Sequence, residues 1–235
     1  MSLPSTIAVD GPAGSGKSTI GGLLAERLGY LYFDTGALYR AITWLALERG
    51  LAIDDEEAIV ALAQAAQTTI TRPTIQDGRQ YTVYADSRDI TWEIRSPEVD
   101  AHVSPISAYP GVREALKVAQ RQIGEEGEVV MVGRDIGTVI LPHAHLKIYL
   151  DASLEVRAQR RYKETLARGE EASCQDVLAD MRCRDEIDSH RLAAPLKPAE
   201  DAIIIDTDHL SIEEVLGQVM ALVERWQPLE EGANP

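Results

Sequence analysis

Residues 11 to 18 read Gly11-Pro12-Ala13-Gly14-Ser15-Gly16-Lys17-Ser18, which satisfies G-x-x-x-x-G-K-[ST]. Glycines at this density let the backbone curl so that successive N–H groups point inward, and a helix starting at the end of the loop adds its positive terminus. A β-phosphate would sit in that ring of donors. Lys17 brings a charge between a β- and a γ-phosphate, and the Ser18 hydroxyl is placed to ligate Mg²⁺. Gly11 through Ser18, with Thr19 beside them, are therefore the expected triphosphate-binding residues, and Ser18 is the expected metal ligand. The motif alone does not separate a kinase from a GTPase or a motor ATPase.

A second set of residues narrows the choice. Asp34-Thr35-Gly36 closes a short apolar segment, and Arg40 falls about one helical turn further on, where it can face the same crevice. Arg113 opens a helical stretch, and Gly133-Arg134-Asp135 follows the apolar run Glu128–Val132. Arg184, Asp188 and Arg191 are spaced i, i+4, i+7 and share one helix face. Guanidinium forks grip phosphate oxygens bidentately. Several converging on one crevice is what a monophosphate bound beside a triphosphate requires. Singly, each has another reading: Arg184 with Asp188 as a surface ion pair, Arg113 paired with Glu114 or Glu128. The His143-x-His145 pair lacks a nearby third ligand and reads as a solvated turn, and Trp44, Trp92, Trp226 and Tyr149 read as core or staple residues.

These residues need elements to hold them. Thr6–Val9, Tyr30–Phe33, Glu128–Val132, Leu146–Leu150 and Ala202–Ile205 are short apolar runs, each followed by a turn and a helical pattern, which predicts a parallel sheet covered on both faces. The fold class expected is α/β, a P-loop NTPase-type three-layer fold with a central parallel sheet. Residues 53–107 break the rhythm with one helical stretch (Asp54–Gln67) and β-rich segments at Thr68–Thr71, Tyr81–Ala85 and Arg88–Ile90 around Gln76-Asp77-Gly78, which reads as an inserted small α+β lobe. Ser153–Gly169 and Cys174–Leu192 are two highly charged helical patterns and read as a mobile helical lid, bounded at about 153–172. Residues 1–52 and 108–228 then form the core domain, with a frayed tail at 229–235.

Composition sets the limits. With 45% apolar residues in 235, the chain can bury one substantial core. Its 38 Asp and Glu against 23 Lys and Arg, a formal charge of -15, argue against nucleic acid as a partner and make local arginine clustering decisive for any anionic ligand. Cys174 and Cys183 fit neither a metal knuckle nor a redox pair. No basic segment leads into an apolar one at the N-terminus, and no apolar run approaches about 18 residues, so neither a signal peptide, a membrane span nor a membrane partner is expected, and the location expected is cytoplasmic.

Taken together, IAVDGPAGSGKST, YLYFDTGALYRA, GVREAL, VGRDIGTVILP, RAQRR, RDEIDSHR and APLKPAEDAIIIDT resemble, in order and nearly end to end, cytidylate kinases of the bacterial type, within the nucleoside monophosphate kinase group. That resemblance implies ATP and Mg²⁺, CMP or dCMP as acceptor, a monomer, and a large insert in the monophosphate-binding lobe. It implies that Thr35 and Arg40 hold CMP, that Arg40, Arg134 and Arg191 reach its phosphate, and that Asp135 and Arg184 face its cytosine and ribose. Arg113, with Ser104 nearby, would read the amino-pyrimidine edge, and Asp188 the ribose hydroxyls. Arg157, Arg160 and Arg161 fall in the lid and would reach the ATP phosphates on closure, giving them, with Lys17 and Arg134, a catalytic role. The chain departs from the family at Val132, where an acidic residue often stands as a Walker-B carboxylate does; if Val132 faces the metal, Asp10 or Asp34 is left to hold its water.

Two other readings remain: a P-loop kinase for another small molecule, such as shikimate or gluconate, and a nucleotide-dependent switch. No N-K-x-D guanine signature is present, which counts against a GTPase. Lys17→Ala should lower turnover by orders of magnitude in a folded protein, since several kcal/mol of transition-state stabilisation are lost at about 1.4 kcal/mol per tenfold in rate. Near wild-type turnover in that variant overturns the phosphate cradle.

Overall fold

The computed structural model describes residues 3–167, 169 and 171–227. The chain opens with β1 (Thr6–Asp10), five consecutive buried residues, then the glycine loop and α1 (Lys17–Leu28). Gly29 ends α1 in the left-handed region at φ 70°, its N–H donating to the carbonyls of Ala25 and Glu26. β2 (Leu31–Asp34) and α2 (Gly36–Glu48) complete the second βα unit.

The stretch that interrupts the rhythm holds α3 (Glu56–Ala65), β3 (Thr68–Thr71), β4 (Thr82–Ala85) and β5 (Arg88–Asp89). The three strands form a small antiparallel sheet in the order β3-β4-β5, with Asp86 and Ser87 at positive φ making the tight turn. α3 starts at Asp55, whose side chain accepts the N–H of Ala58, so the helix is shorter than Asp54–Gln67. The expectation of a single helix here is corrected. A 3₁₀ turn (Glu93–Arg95) leads into α4 (Pro97–Ala108), which the sequence announces through Ser96 as N-cap and Pro97 in the first turn.

α5 (Pro110–Glu125), β6 (Val129–Gly133), a π-helical turn (Ile136–Ile140), β7 (Leu146–Asp151), α6 (Leu154–Ala167), α7 (Cys174–His190), β8 (Ile203–Asp206) and α8 (Ile212–Arg225) follow. The tail expected from residue 229 onward, and residues 168 and 170 of the expected lid, lie outside the described residues. The five long-range strands form a parallel sheet in the order β2-β6-β1-β7-β8. α1 packs on β6 with α8 beside it, and α5 meets β6 as well. The central strands read as unbroken apolar runs because helices cover them on both faces.

Register brings the chemistry together. Asp10 stands opposite Gly133, and Asp34 opposite Val132, so the ends of β1, β2 and β6 reach the same level at the carboxyl edge. Gly11 at φ 151° turns the chain where a Cβ would lie 2.2 Å from the carbonyl oxygen of Leu150, so no other residue fits.

Val132 does not face the metal position. It is fully buried, with Cγ2 2.5 Å from where a Cβ on Gly21 would stand, and its carbonyl accepts both the N–H and the hydroxyl of Thr35. The residue seals α1 onto the sheet. Val132→Asp should therefore lower the melting temperature, at a cost of several kcal/mol for an unpartnered buried carboxylate, and leave the Mg²⁺ midpoint of activity where it was. A lower Mg²⁺ midpoint with unchanged stability contradicts this packing.

Candidate active site

Each wall of the cradle is held by a specific contact. Gly14 and Gly16 sit at φ 77° and 92°, and Lys17, almost completely buried, donates through Nζ to the carbonyl of Pro12 at 2.8 Å. Burial pushes the Lys17 pKa down to about 7, Arg134 adds to the effect, and Asp34 opposes it. Ser18 Oγ donates to Asp34 Oδ2 at 3.3 Å, and the other Asp34 oxygen accepts the N–H of Gly36 at 2.9 Å. Thr19 is exposed on the first turn of α1.

Of the two acidic residues considered for the metal, only Asp34 reaches Ser18. Asp10 is turned away: its two oxygens accept the N–H groups of Ile136 and Gly137 at 2.8 and 2.7 Å. This ties the strand before the cradle to the turn carrying Arg134 and Asp135. Burial pushes the Asp10 pKa up to about 7 despite those two bonds.

α6 and α7 lie directly on the loop. Arg157 donates to the carbonyls of Ala152 (2.9 Å) and Ala13 (3.1 Å) and makes a two-pronged pair with Asp185 on α7, at 3.1 and 2.6 Å. Arg160 donates to the hydroxyl of Thr207 at 3.1 Å, to its carbonyl at 2.5 Å and to the carbonyl of Gly14 at 3.5 Å. Arg161 crosses instead to α4, pairing with Asp100 at 2.5 Å.

Beside the cradle, Thr35, Arg40, Arg113, Arg134, Asp135, Arg184, Asp188 and Arg191 line one cavity, so residues spread over the whole chain meet. Ser104 is buried in the last turn of α4 just behind its rim, and its carbonyl accepts the hydroxyl of Ser107, which is on the rim. Arg113 pairs with Asp135 at 2.5 Å rather than with Glu114 or Glu128, donates to the carbonyl of Ser107 at 3.0 Å, and lies 5.2 Å from the centre of the Tyr39 ring. Asp188 is buried and pairs with Arg134 and Arg191, so it does not form a surface pair with Arg184. Arg40 donates to the carbonyl of Ile94 and to Asp100.

Five arginines thus face two aspartates in the lining of this cavity, in a chain of net charge -15. Nε of Arg184 and Nη2 of Arg191 are buried with no hydrogen-bond partner among the described residues. Burial, followed by the charge of Arg134, pushes the Arg184 pKa down to about 9. An excess of desolvated cations with donors to spare is a site waiting for a polyanion. Sequence reasoning missed Tyr39, Asp100, Asp185 and Thr207. Tyr39, Asp185 and Thr207 sit within segments already quoted, whereas nothing local marks Asp100.

A phosphate cradle and an arginine-lined cavity at the carboxyl edge of a parallel sheet are the two halves of a P-loop kinase. The profile of the cytidylate kinase family matches residues 7–225. A cytidylate kinase of Herpetosiphon aurantiacus is 54% identical over 223 residues, covering 95% of this chain and 96% of that protein. Cytidylate kinases of Chloroflexus aggregans (48% identical, 99% and 100% covered) and Streptococcus pneumoniae (46%, 93% and 97%) are similar throughout. The chain belongs to the cytidylate kinase family.

The displaced pKa values of Asp10 and Lys17 make stability depend on pH in opposite senses. The native state keeps a proton on Asp10 that the unfolded chain releases above about 3.8, so this residue lowers stability as pH rises from 4 to 7. Native Lys17 loses its proton near 7 while the unfolded chain keeps it to about 10.5, so stability recovers from 7 to 10.5. Urea midpoints from pH 5 to 9.5 should show Lys17→Met flattening the alkaline limb, and Asp10→Asn the acid limb, relative to wild type. Parallel curves for all three proteins contradict the assignment.

Proposed function

We propose that the protein transfers the γ-phosphoryl group of ATP to CMP, and to dCMP, giving ADP and CDP or dCDP, in the pyrimidine nucleotide metabolism of the cytoplasm. The observation that carries this reading is the set of five arginines around one cavity next to the cradle, two of them with unpartnered buried donors. The loop from Gly11 to Gly16 binds the triphosphate through its N–H groups, with Lys17 and the start of α1 (Ser18, Thr19) around it. Arg40, Arg134 and Arg191 hold the acceptor phosphate. Arg113 and Asp135, locked together against Tyr39 and close to Ser104 and Ser107, offer paired donors and acceptors to the amino-pyrimidine edge of cytosine, while Thr35, Arg184 and Asp188 face the remainder of the nucleotide.

The acceptor oxygen is already anionic, so no strong general base is needed and the direct in-line transfer depends on positioning and on charge stabilisation. Lys17 and Arg134, with the α6 arginines Arg157, Arg160 and Arg161, supply that charge. Lys17 leaves its bond to the carbonyl of Pro12 and becomes fully protonated once an anion lies against it. Ser18 and Asp34 present hard oxygen donors at the mouth of the cradle and fit Mg²⁺, which when bound spreads the charge of the donor phosphates.

Residues 53–107 act as the lobe that closes on the acceptor, and residues about 153–172 as a lid that excludes water. The chain works as a monomer, and among the described residues no helix is long and apolar enough to cross a membrane.

A coupled assay against CMP, dCMP, UMP, AMP, shikimate and gluconate tests the reading, with turnover expected on CMP and dCMP. Arg191→Ala should raise the Michaelis constant for CMP far more than that for ATP, since one charged phosphate contact is worth about 1.5 to 3 kcal/mol. Turnover on a non-nucleotide acceptor alone, or equal increases in both constants, overturns it.

A further inference from the structure

Asp100, on α4, is a carboxylate with one oxygen on each half of the machinery. Its Oδ1 lies 2.5 Å from Nη2 of Arg40, on the acceptor cavity, and its Oδ2 lies 2.5 Å from Nη2 of Arg161, on α6 above the cradle. All three side chains are a third exposed or less. Among the described residues Arg161 has one other anionic neighbour, Glu164, at 3.6 Å and largely exposed. Two guanidinium groups on one pair of partly buried oxygens is the geometry with which arginines hold a phosphate.

The bridge also closes the site. The cavity measures about 50 Å³, whereas pockets for small ligands span roughly 300–1,000 Å³, so a nucleotide enters only if the walls part. α4 is one wall, and Asp100 ties it to α2 through Arg40 and to α6 through Arg161.

We propose that Asp100 is a specificity-determining residue that occupies Arg40 in place of an acceptor phosphate, and holds Arg161 away from the donor until a nucleoside monophosphate takes Arg40 and displaces the carboxylate from both arginines. This rests on the reading of Arg40 as an acceptor-phosphate residue. Without the carboxylate, Arg161 is free to swing toward the cradle, whose rim Arg157 and Arg160 on the same helix already touch. Transfer to water then becomes easier: water attacks the γ-phosphorus, the bond to the ADP oxygen breaks, and inorganic phosphate, ADP and a proton leave. With the carboxylate in place, the arrival of the acceptor and the release of the α6 arginine are one event.

Asp100→Asn should bind CMP about three- to tenfold more tightly in calorimetry without ATP, because one competing charged hydrogen bond is gone. It should also hydrolyse ATP several-fold faster than wild type when CMP is absent, followed as ADP release. Unchanged or weaker CMP affinity, or unchanged hydrolysis, overturns the proposal. Should the variant not fold, the wild-type protein decides: CMP alone should speed dicarbonyl labelling of Arg161, mapped by mass spectrometry, and unchanged or slower labelling overturns the proposal. Arg40→Ala separates the two levels. If it weakens CMP binding while Asp100→Asn changes nothing, Arg40 binds the acceptor and Asp100 is only a strut; if Arg40→Ala leaves CMP binding intact, the acceptor reading itself fails.

Discussion

Guanidinium groups cannot be gathered in a partly dry cavity unless carboxylates stand among them. Asp135 and Asp188, both nearly fully buried, are the residues on which this arrangement depends. Asp135 takes Arg113 and Arg191, and Asp188 takes Arg134 and Arg191, so two anions serve a chain of three cations. Each aspartate is costly to bury alone, and each arginine is too; together they form a network whose members are mutually required. The network is deliberately incomplete in charge. Among the described residues Arg184 stands beside it with no carboxylate in ion-pair contact, and burial, followed by the charge of Arg134, lowers its pKa. Under the proposed function, a phosphate in the cavity supplies the missing negative charge and accepts from the donors that Arg184 and Arg191 leave unpartnered.

The same logic explains why the chain can be strongly acidic overall and still hold anions. The negative residues lie mostly on solvated surfaces, where salt screens them within about 8–10 Å. Five of the 23 positive ones line a cavity bounded by protein. A long-range repulsion that is screened competes with a short-range attraction that is not, and the cavity wins.

Much of this was legible in the sequence because it rests on local rules. The cradle needs glycines at fixed positions between a strand and a helix, and Gly11 to Ser18 display them within one short segment. Unbroken apolar runs mark the parallel strands to within a residue or two; burial on both faces leaves the central strands no alternation to misread, and β8, at the edge, is an apolar run although mostly exposed. The arginines lining the cavity were individually visible, and the family pattern joined them. What was not legible depends on contacts between distant segments. Val132 turned out to pack on Gly21, a fact about the meeting of α1 and β6 and not about the residues around Val132. Asp100 and Asp185 are ordinary acidic residues on charged helices until α4, α6 and α7 are placed against each other. α4 carries a local start signal in Ser96 and Pro97, but Pro105 inside it interrupts the helical pattern that would extend from that signal.

Asp10 gives the architecture a consequence of its own. Its carboxylate grips the two N–H groups that follow Arg134 and Asp135, while the next residue along the chain begins the cradle. The cradle and the turn carrying Arg134 and Asp135 are thereby referred to a single datum, through hydrogen bonds that involve neither α6 nor α7. Such a part behaves like the anvil of a press: the tooling around it can be exchanged, but the anvil and the loop fastened to it must stay where they are for the stroke to land.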